Sequence, residues 1–241
     1  MRVRTKEAID LHNADQQPEV PAEAAAPQES ADPEAIFGRV YEYGVWGRSD
    51  RTRYYSGSGS YTPHIVLPYI KAMAQFLCAL PARADVVDLG CGDFRIGAVL
   101  RRYCRNYIAC DVVGSLIDFN RKKFGDLDVD FRTLDITRDE LPAGDVATVR
   151  QVLQHLSNDS ILRFLDRCRG RFSYLCVTEH VPDAADFPHN RDQSTGPWIR
   201  LEQNSGVVLT SPPFNLKSQA ASVVCEARET SGIVRTIIYR L

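Results

Sequence analysis

Val86-Val87-Asp88-Leu89-Gly90-Cys91-Gly92-Asp93 is an apolar run that ends in an acid and breaks into a glycine-rich turn. A second hydrophobic run ends in another acid, Asp111, 19 positions beyond Gly92. Strand, tight glycine turn, helix and a second strand closed by an acid build a nucleotide-type pocket at the carboxyl end of a parallel sheet. Glycines 90 and 92 let the chain turn sharply and approach a ligand closely. A dinucleotide fingerprint places a third glycine three residues after the second, and here that residue is Arg95. The helix start that would hold a pyrophosphate is preceded by the anion Asp93, which repels one. Acids at 88 and 93 suit a cofactor with a positive sulfonium and an amino-acid end better.

Outward from this stretch the chain alternates strand and helix. Strand patterns fall at 84–89, 106–111, 129–134, 145–150 and 173–179, and helical patterns at 94–104, 114–123 and 158–168. Repeated strand–helix–strand units predict a parallel sheet covered on both faces. Two last strands, 222–228 and 233–240, are separated by the short turn Thr230-Ser231-Gly232, which makes them an antiparallel hairpin. The expected fold is α/β, a Rossmann-like doubly wound, mostly parallel seven-stranded sheet with an antiparallel C-terminal hairpin.

Upstream, Asp32-Pro33 and Thr62-Pro63 read as cap-plus-proline helix starts. The first helix aligns Ile36, Phe37, Val40 and Tyr41, and the second buries a stripe of Ile65, Val66, Tyr69, Ile70, Met73, Phe76 and Leu77. Residues 1–31, rich in Ala, Pro, Gln and Glu, have too little apolar surface to offset ordering entropy and read as a disordered tail. The domain division is thus the tail 1–31, a helical cap and cofactor lid at 32–80, and an α/β domain at 81–241 with a loop-rich insertion at about 181–221.

The 241 residues carry 29 Lys and Arg against 31 Asp and Glu, a net charge of −2. That balance gives no electrostatic footprint for nucleic acid or an anionic membrane. The seven cysteines form no zinc-knuckle spacing, and several, such as Cys110 and Cys176, sit inside apolar runs as free thiols. A reducing cytoplasm is expected, with neither a secretory h-region nor a membrane span, and no metal site.

The chain resembles the class I S-adenosylmethionine-dependent methyltransferases over roughly residues 64–180 and the terminal hairpin. The residues carrying the resemblance are Val86 through Gly92, Asp111, Leu134-Asp135-Ile136, and Val149-Arg150-Gln151-Val152-Leu153-Gln154-His155-Leu156. The strings Thr178-Glu179-His180 and Ser205-Gly206-Val207-Val208-Leu209 are similar to a bacterial subgroup. One departure is Phe94, where many members carry a further glycine; a phenyl ring there is expected to narrow the pocket. The resemblance implies that Gly90, Cys91 and Gly92 line the methionine moiety of S-adenosylmethionine, with Asp88 positioning its amino group. It further implies that Asp111 accepts both ribose hydroxyls, that Val112 packs on the adenine, that Asp135 and Ile136 flank its edge, and that Arg150 and Gln151 close the far side. Competing readings are an exposed turn acid for Asp111 and a helix cap for Asp135.

Catalytic groups belong at the carboxyl ends of strands four and five, where the cleft opens. The candidates are His155, His180 and Glu179, because a hydroxyl acceptor needs a base and histidine titrates near neutrality. His64 and His189 rank below them. Segments 41–61 and 182–216 add aromatic and basic residues as lids or substrate walls, with Gly57 and Gly59 as hinges. Pro212-Pro213 follows strand five rather than strand four, which disfavours a nucleobase amino-methylation motif. The expected function is methyl transfer to a small-molecule or sugar-type hydroxyl, on a glycan or secondary metabolite. Alternatives are a protein side chain as acceptor, an NAD(P)-dependent oxidoreductase, and a non-catalytic binding module.

Overall fold

The computed structural model describes residues 32–229 and 231–241. The tail at 1–31 and Thr230 of the hairpin turn lie outside the described residues. Two helices, α1 (Pro33–Tyr43) and α2 (Pro63–Ala79), precede the first strand. There follow β1 (Val86–Leu89), α3 (Arg95–Leu100), β2 (Tyr107–Asp111), α4 (Gly114–Lys123), β3 (Asp130–Thr133), β4 (Val146–Arg150), α5 (Asn158–Cys168) and β5 (Tyr174–Val181). The hairpin β6 (Ala220–Glu229) and β7 (Gly232–Arg240) closes the chain.

The seven strands lie in the order β3-β2-β1-β4-β5-β7-β6. The first five are parallel, and β7 runs antiparallel between β5 and β6. All seven expected strands are present, with ends shifted by a few residues. The order reverses between β1 and β4, so the strand ends diverge there and leave a crevice.

Period-two alternation divides the core. Val86, Val146, Cys176 and Ile238 face α2 and α3, where Tyr69, Met73, Leu77 and Leu100 cover them. Val87, Ala147, Leu175 and Tyr239 face the opposite layer, built from Ile161, Phe164 and Cys168 of α5 and from Val207, Leu209 and Phe214 of the insertion. Each such fully buried Ile or Phe stabilises the fold by roughly 1.5–3 kcal/mol. Helix α5 starts cleanly because the Ser157 hydroxyl accepts from the Ser160 N–H at 3.2 Å.

Three expectations need correction. Asp32 and Thr62 give no side-chain cap; the Asp32 carboxylate instead pairs with Arg138 at 2.6 Å. The helix expected over 94–104 runs only from Arg95 to Leu100 and tightens into a 3-10 turn at Arg101–Tyr103. Phe94 does not narrow the pocket. It takes a left-handed backbone conformation (φ 58°), and its ring is fully buried in the core, 4.8 Å from Phe131 and 5.5 Å from Tyr107. The space comes from Gly97, where a Cβ would lie 2.3 Å from the Phe94 ring. The glycine missing beside the turn thus reappears one helical turn later, serving the core rather than the cofactor. Gly97→Ala is expected to destabilise the domain by about 1–3 kcal/mol through overpacking, measured by urea unfolding, with Phe94→Leu in the same chain recovering part of the loss.

Candidate active site

The crevice opens into a cavity of about 640 Å³ at the carboxyl ends of β1, β2, β4 and β5. Two glycines shape its floor. Gly90 (φ +83°) turns against Val152, where a Cβ would meet Cγ2 at 2.4 Å, and Gly92 (φ +55°) turns against Ser56. The Gly92 N–H donates to Asp111 Oδ2 at 3.0 Å, and its carbonyl accepts from the Asn120 amide at 2.7 Å. Ser56 accepts from the Asp93 N–H at 2.9 Å. The loop before α2 therefore holds the glycine turn from above.

Three acids lie around this turn, Asp93 and Asp111 buried and Asp88 half-buried. Asp88 accepts from Tyr107 at 3.0 Å and Thr148 at 2.9 Å. Burial pushes it up to about 6, against those two hydrogen bonds. Asp111 is raised by burial and pulled back by the N–H groups of Val113 and Gly92. Asp93 is raised by burial and opposed by the Tyr61 hydroxyl, which donates to it. The Arg95 N–H at the start of α3 also donates to Asp93, at 3.3 Å, while the Arg95 guanidinium stacks 4.7 Å from the Tyr61 ring. An anion already occupies the helix start that a pyrophosphate would need.

The other expected cofactor residues lie around the same cavity. Cys91, Val112, Asp135, Ile136, Arg150 and Gln151 all line it. Asp135 Oδ1 accepts from the Thr137 N–H at 2.8 Å and its hydroxyl at 2.7 Å. Its buried Oδ2 has no hydrogen-bond donor, Arg138 Nε lying 3.5 Å away. Arg150 is the only Lys or Arg among the described residues lining the cavity. It donates to the Gly59 carbonyl at 2.6 Å and Gln151 Oε1 at 3.2 Å, lies 4.8 Å from the Tyr69 ring, and keeps a buried Nε without a partner.

A second compartment adjoins the turn after β4. Phe37, Trp46, Pro197, Trp198 and His155 wall it. Trp46 bridges the two added segments: its indole N–H donates to the Pro197 carbonyl at 3.3 Å, and its ring lies 4.8 Å from His155. His155 Nδ1 faces the Trp198 carbonyl at 3.1 Å, so Nδ1 carries the proton. The amide of Gln154 fits that assignment. Its Oε1 accepts from the His180 N–H at 3.0 Å, which turns its NH2 toward His155 Nε2 at 3.4 Å. Burial pulls His155 down to about 4. The imidazole is neutral at pH 7.

His180 also lines the cavity, and its Nε2 is buried without a partner. Burial lowers its pKa, with Glu229 opposing. Glu179, expected among the catalytic groups, faces away. It points to the other side of the sheet, where its two oxygens accept from the N–H groups of Leu153 at 3.1 Å and Gln154 at 2.8 Å. Strand alternation separates it from His180. His64 pairs with Glu229 at 3.0 Å and His189 bonds Ser211 at 2.8 Å, both outside the cavity. Sequence reasoning missed Ser56, Gln154, Thr148 and Asn120, whose roles depend on partners 25 to 60 residues away.

The comparisons agree with this geometry. Residues 87–171 match the family model of a methyltransferase domain. The N-methyltransferase NodS from Bradyrhizobium japonicum in complex with S-adenosyl-L-homocysteine superposes with a TM-score of 0.56 at 13% identity, covering 74% of this chain and 87% of that one. The N-terminal domain of EvdMO1 with S-adenosylhomocysteine bound gives 0.53 at 16%, over 89% and 99%. An S-adenosylmethionine-dependent methyltransferase from Leishmania major gives 0.58 at 15%, over 87% and 84%. No curated protein matches in sequence. Residues 87–171 thus match a methyltransferase domain, and the chain shares the fold of methyltransferases whose structures hold S-adenosylhomocysteine. No helix among the described residues is long and apolar enough to cross a membrane, and none of their acidic, His or Cys side chains cluster as a metal site.

The neutral His155 makes stability pH-dependent. Its folded pKa lies below the unfolded value of 6.5, so its contribution is intact above about pH 6.5 and is lost as pH falls toward 4. At pH 5 the loss relative to pH 8 is about 2 kcal/mol. Urea unfolding at the two pH values should show that difference disappearing in His155→Gln when wild type and variant profiles are subtracted.

Proposed function

We propose that the protein transfers the methyl group of S-adenosylmethionine to a hydroxyl of an uncharged small molecule or sugar-type acceptor. The observation that carries the reading is the continuity of one cavity from the glycine turn to the aromatic compartment of Phe37, Trp46 and Trp198. The residues present fit the cofactor. Carboxylates at 88, 93 and 111 favour a cation nearby, Asp135 Oδ2 accepts no hydrogen bond although Arg138 pairs with it at 3.5 Å, and Arg150 Nε is a donor without a partner.

Asp111 is assigned to the ribose hydroxyls through the lone pairs left after its two backbone bonds. Val112 and Ile136 flank the adenine, and Asp135 Oδ2 accepts from the adenine amine. Asp88 holds the amino group of the methionine end, Gly90, Cys91 and Gly92 line that end, and Arg150 with Gln151 closes it. Bound there, S-adenosylmethionine supplies an electrophilic methyl on a sulfonium. The chain's own work is alignment, which can supply roughly 7–11 kcal/mol in oriented reactions. The base is assigned to His180, which lines the cavity; its Nε2 is covered beside Gly232 in this conformation, so the ring must turn to take the acceptor's proton. His155 has its lone pair turned to Gln154 and serves the wall instead. Among the described residues Arg150 is the only lining Lys or Arg, and it is bonded to the Gly59 carbonyl and Gln151, which supports an uncharged acceptor. Trp46 supplies a flat apolar surface for a ring.

Calorimetric titration tests the cofactor reading: S-adenosylmethionine binds and NAD does not, and silence toward the former at millimolar concentration refutes the assignment. Asp111→Ala should weaken that binding by about 1–3 kcal/mol. With labelled donor and a panel of hydroxyl acceptors, His180→Ala should abolish transfer while cofactor affinity stays at the wild-type value. Retained transfer removes His180 as the base.

A further inference from the structure

The turn that carries Gln154 and His155 into the cavity is held by two buried ionisable side chains that the proposed reaction does not use. On one side lies Glu179, 3% exposed, receiving the N–H groups of Leu153 and Gln154. On the other lies Arg200, 1% exposed and the largest of the fully buried side chains. Arg200 belongs to the insertion between β5 and β6. Its guanidinium donates to the carbonyls of Leu153 at 3.0 Å and Leu156 at 2.7 Å, to Asn158 Oδ1 at 2.9 Å, and through Nε to the Arg191 carbonyl at 2.9 Å.

No hydrogen bond or ion pair joins Glu179 to Arg200 directly; the peptide groups of the turn lie between them. The carboxyl group meets the turn's N–H groups and the guanidinium meets its C=O groups; burial pushes Glu179 up to about 8, and those N–H groups and the Arg200 charge pull against it. The same insertion places the Trp198 carbonyl on His155 Nδ1 and the Gln193 amide on the Gln154 carbonyl at 2.6 Å. The Gly196 N–H donates to the His155 carbonyl at 2.9 Å.

We propose that Glu179 and Arg200 are positioning residues that clamp the turn after β4 from opposite ends and fasten it to the insertion, so that His155, Trp46 and Trp198 form one rigid acceptor wall. The proposal concerns the acceptor side of the reading above, and its test needs no acceptor. Glu179 and Arg200 touch neither the glycine turn nor Asp111; the turn they hold meets the donor side at Val152, against which Gly90 turns. The chain's two tryptophans, Trp46 and Trp198, both line the cavity, so intrinsic fluorescence reads this wall.

The variants are Arg200→Met, Glu179→Gln and the pair together. Removing one side chain leaves the turn held from one side only and the other buried polar group without its partner's field, whereas removing both does not. Each single variant should lower the melting temperature and raise acrylamide quenching of tryptophan fluorescence about twofold, and the double variant should recover more than half of the melting loss. S-adenosylhomocysteine affinity by calorimetry should stay within about threefold of wild type throughout. Unchanged quenching in Arg200→Met overturns the proposal. So does a double variant whose melting loss is the sum of the two, or cofactor affinity that falls in step with quenching. Should Arg200→Met fail to fold, Arg200→Lys carries the test. It keeps the charge but loses the fork across Leu153 and Leu156, so quenching should still rise, and wild-type quenching overturns the idea.

Discussion

The cavity depends on the hydrogen bond from the Gly92 N–H to Asp111 Oδ2 at 3.0 Å. It ties the turn after β1 to the end of β2 and aims the Asp111 carboxylate into the crevice opened by the β1–β4 reversal. A backbone N–H bonded to a carboxylate contributes about 1.5–3 kcal/mol. Because Gly92 sits at φ +55°, a side chain at that position would strain the turn and push Ser56 aside. Geometry and charge placement are thus set by a single contact.

That contact also concentrates negative charge. Asp88, Asp93 and Asp111 all lie in the floor, and loss of solvent raises all three. Without a cation the floor is electrostatically unfavourable, and the hydroxyls of Tyr61, Tyr107 and Thr148 offset part of the cost. A bound sulfonium and ammonium would offset more, so ligand binding and domain stability are linked.

The sheet was legible in sequence because its signals are local. Apolar runs of strand length, glycines at 90 and 92 and an acid closing each strand need no knowledge of distant partners. Phe94 was misread for the opposite reason. A family pattern treats its position as facing the cofactor, but its left-handed backbone turns the ring into a core hollow that Gly97 leaves open. Glu179 and His180 are adjacent in sequence and lie on opposite faces of β5, so period-two geometry assigned them different tasks where proximity suggested one. Gln154, Ser56 and Arg200 carry no local signal. Their meaning comes from the peptide groups they reach across the fold.

The donor floor is built from strand ends and their immediate turns, while the opposite wall comes from α1, the loop at 44–60 and the insertion after β5. Those segments lie outside the parallel sheet and bring their own anchors, Trp46 to Pro197 and Arg200 to Leu153 and Leu156. Substitutions in that wall can therefore change what the cavity accepts while leaving the glycine-turn floor as it is. The same separation marks residues 44–60 and 182–216 as exchangeable parts for redesigning specificity on an unchanged scaffold.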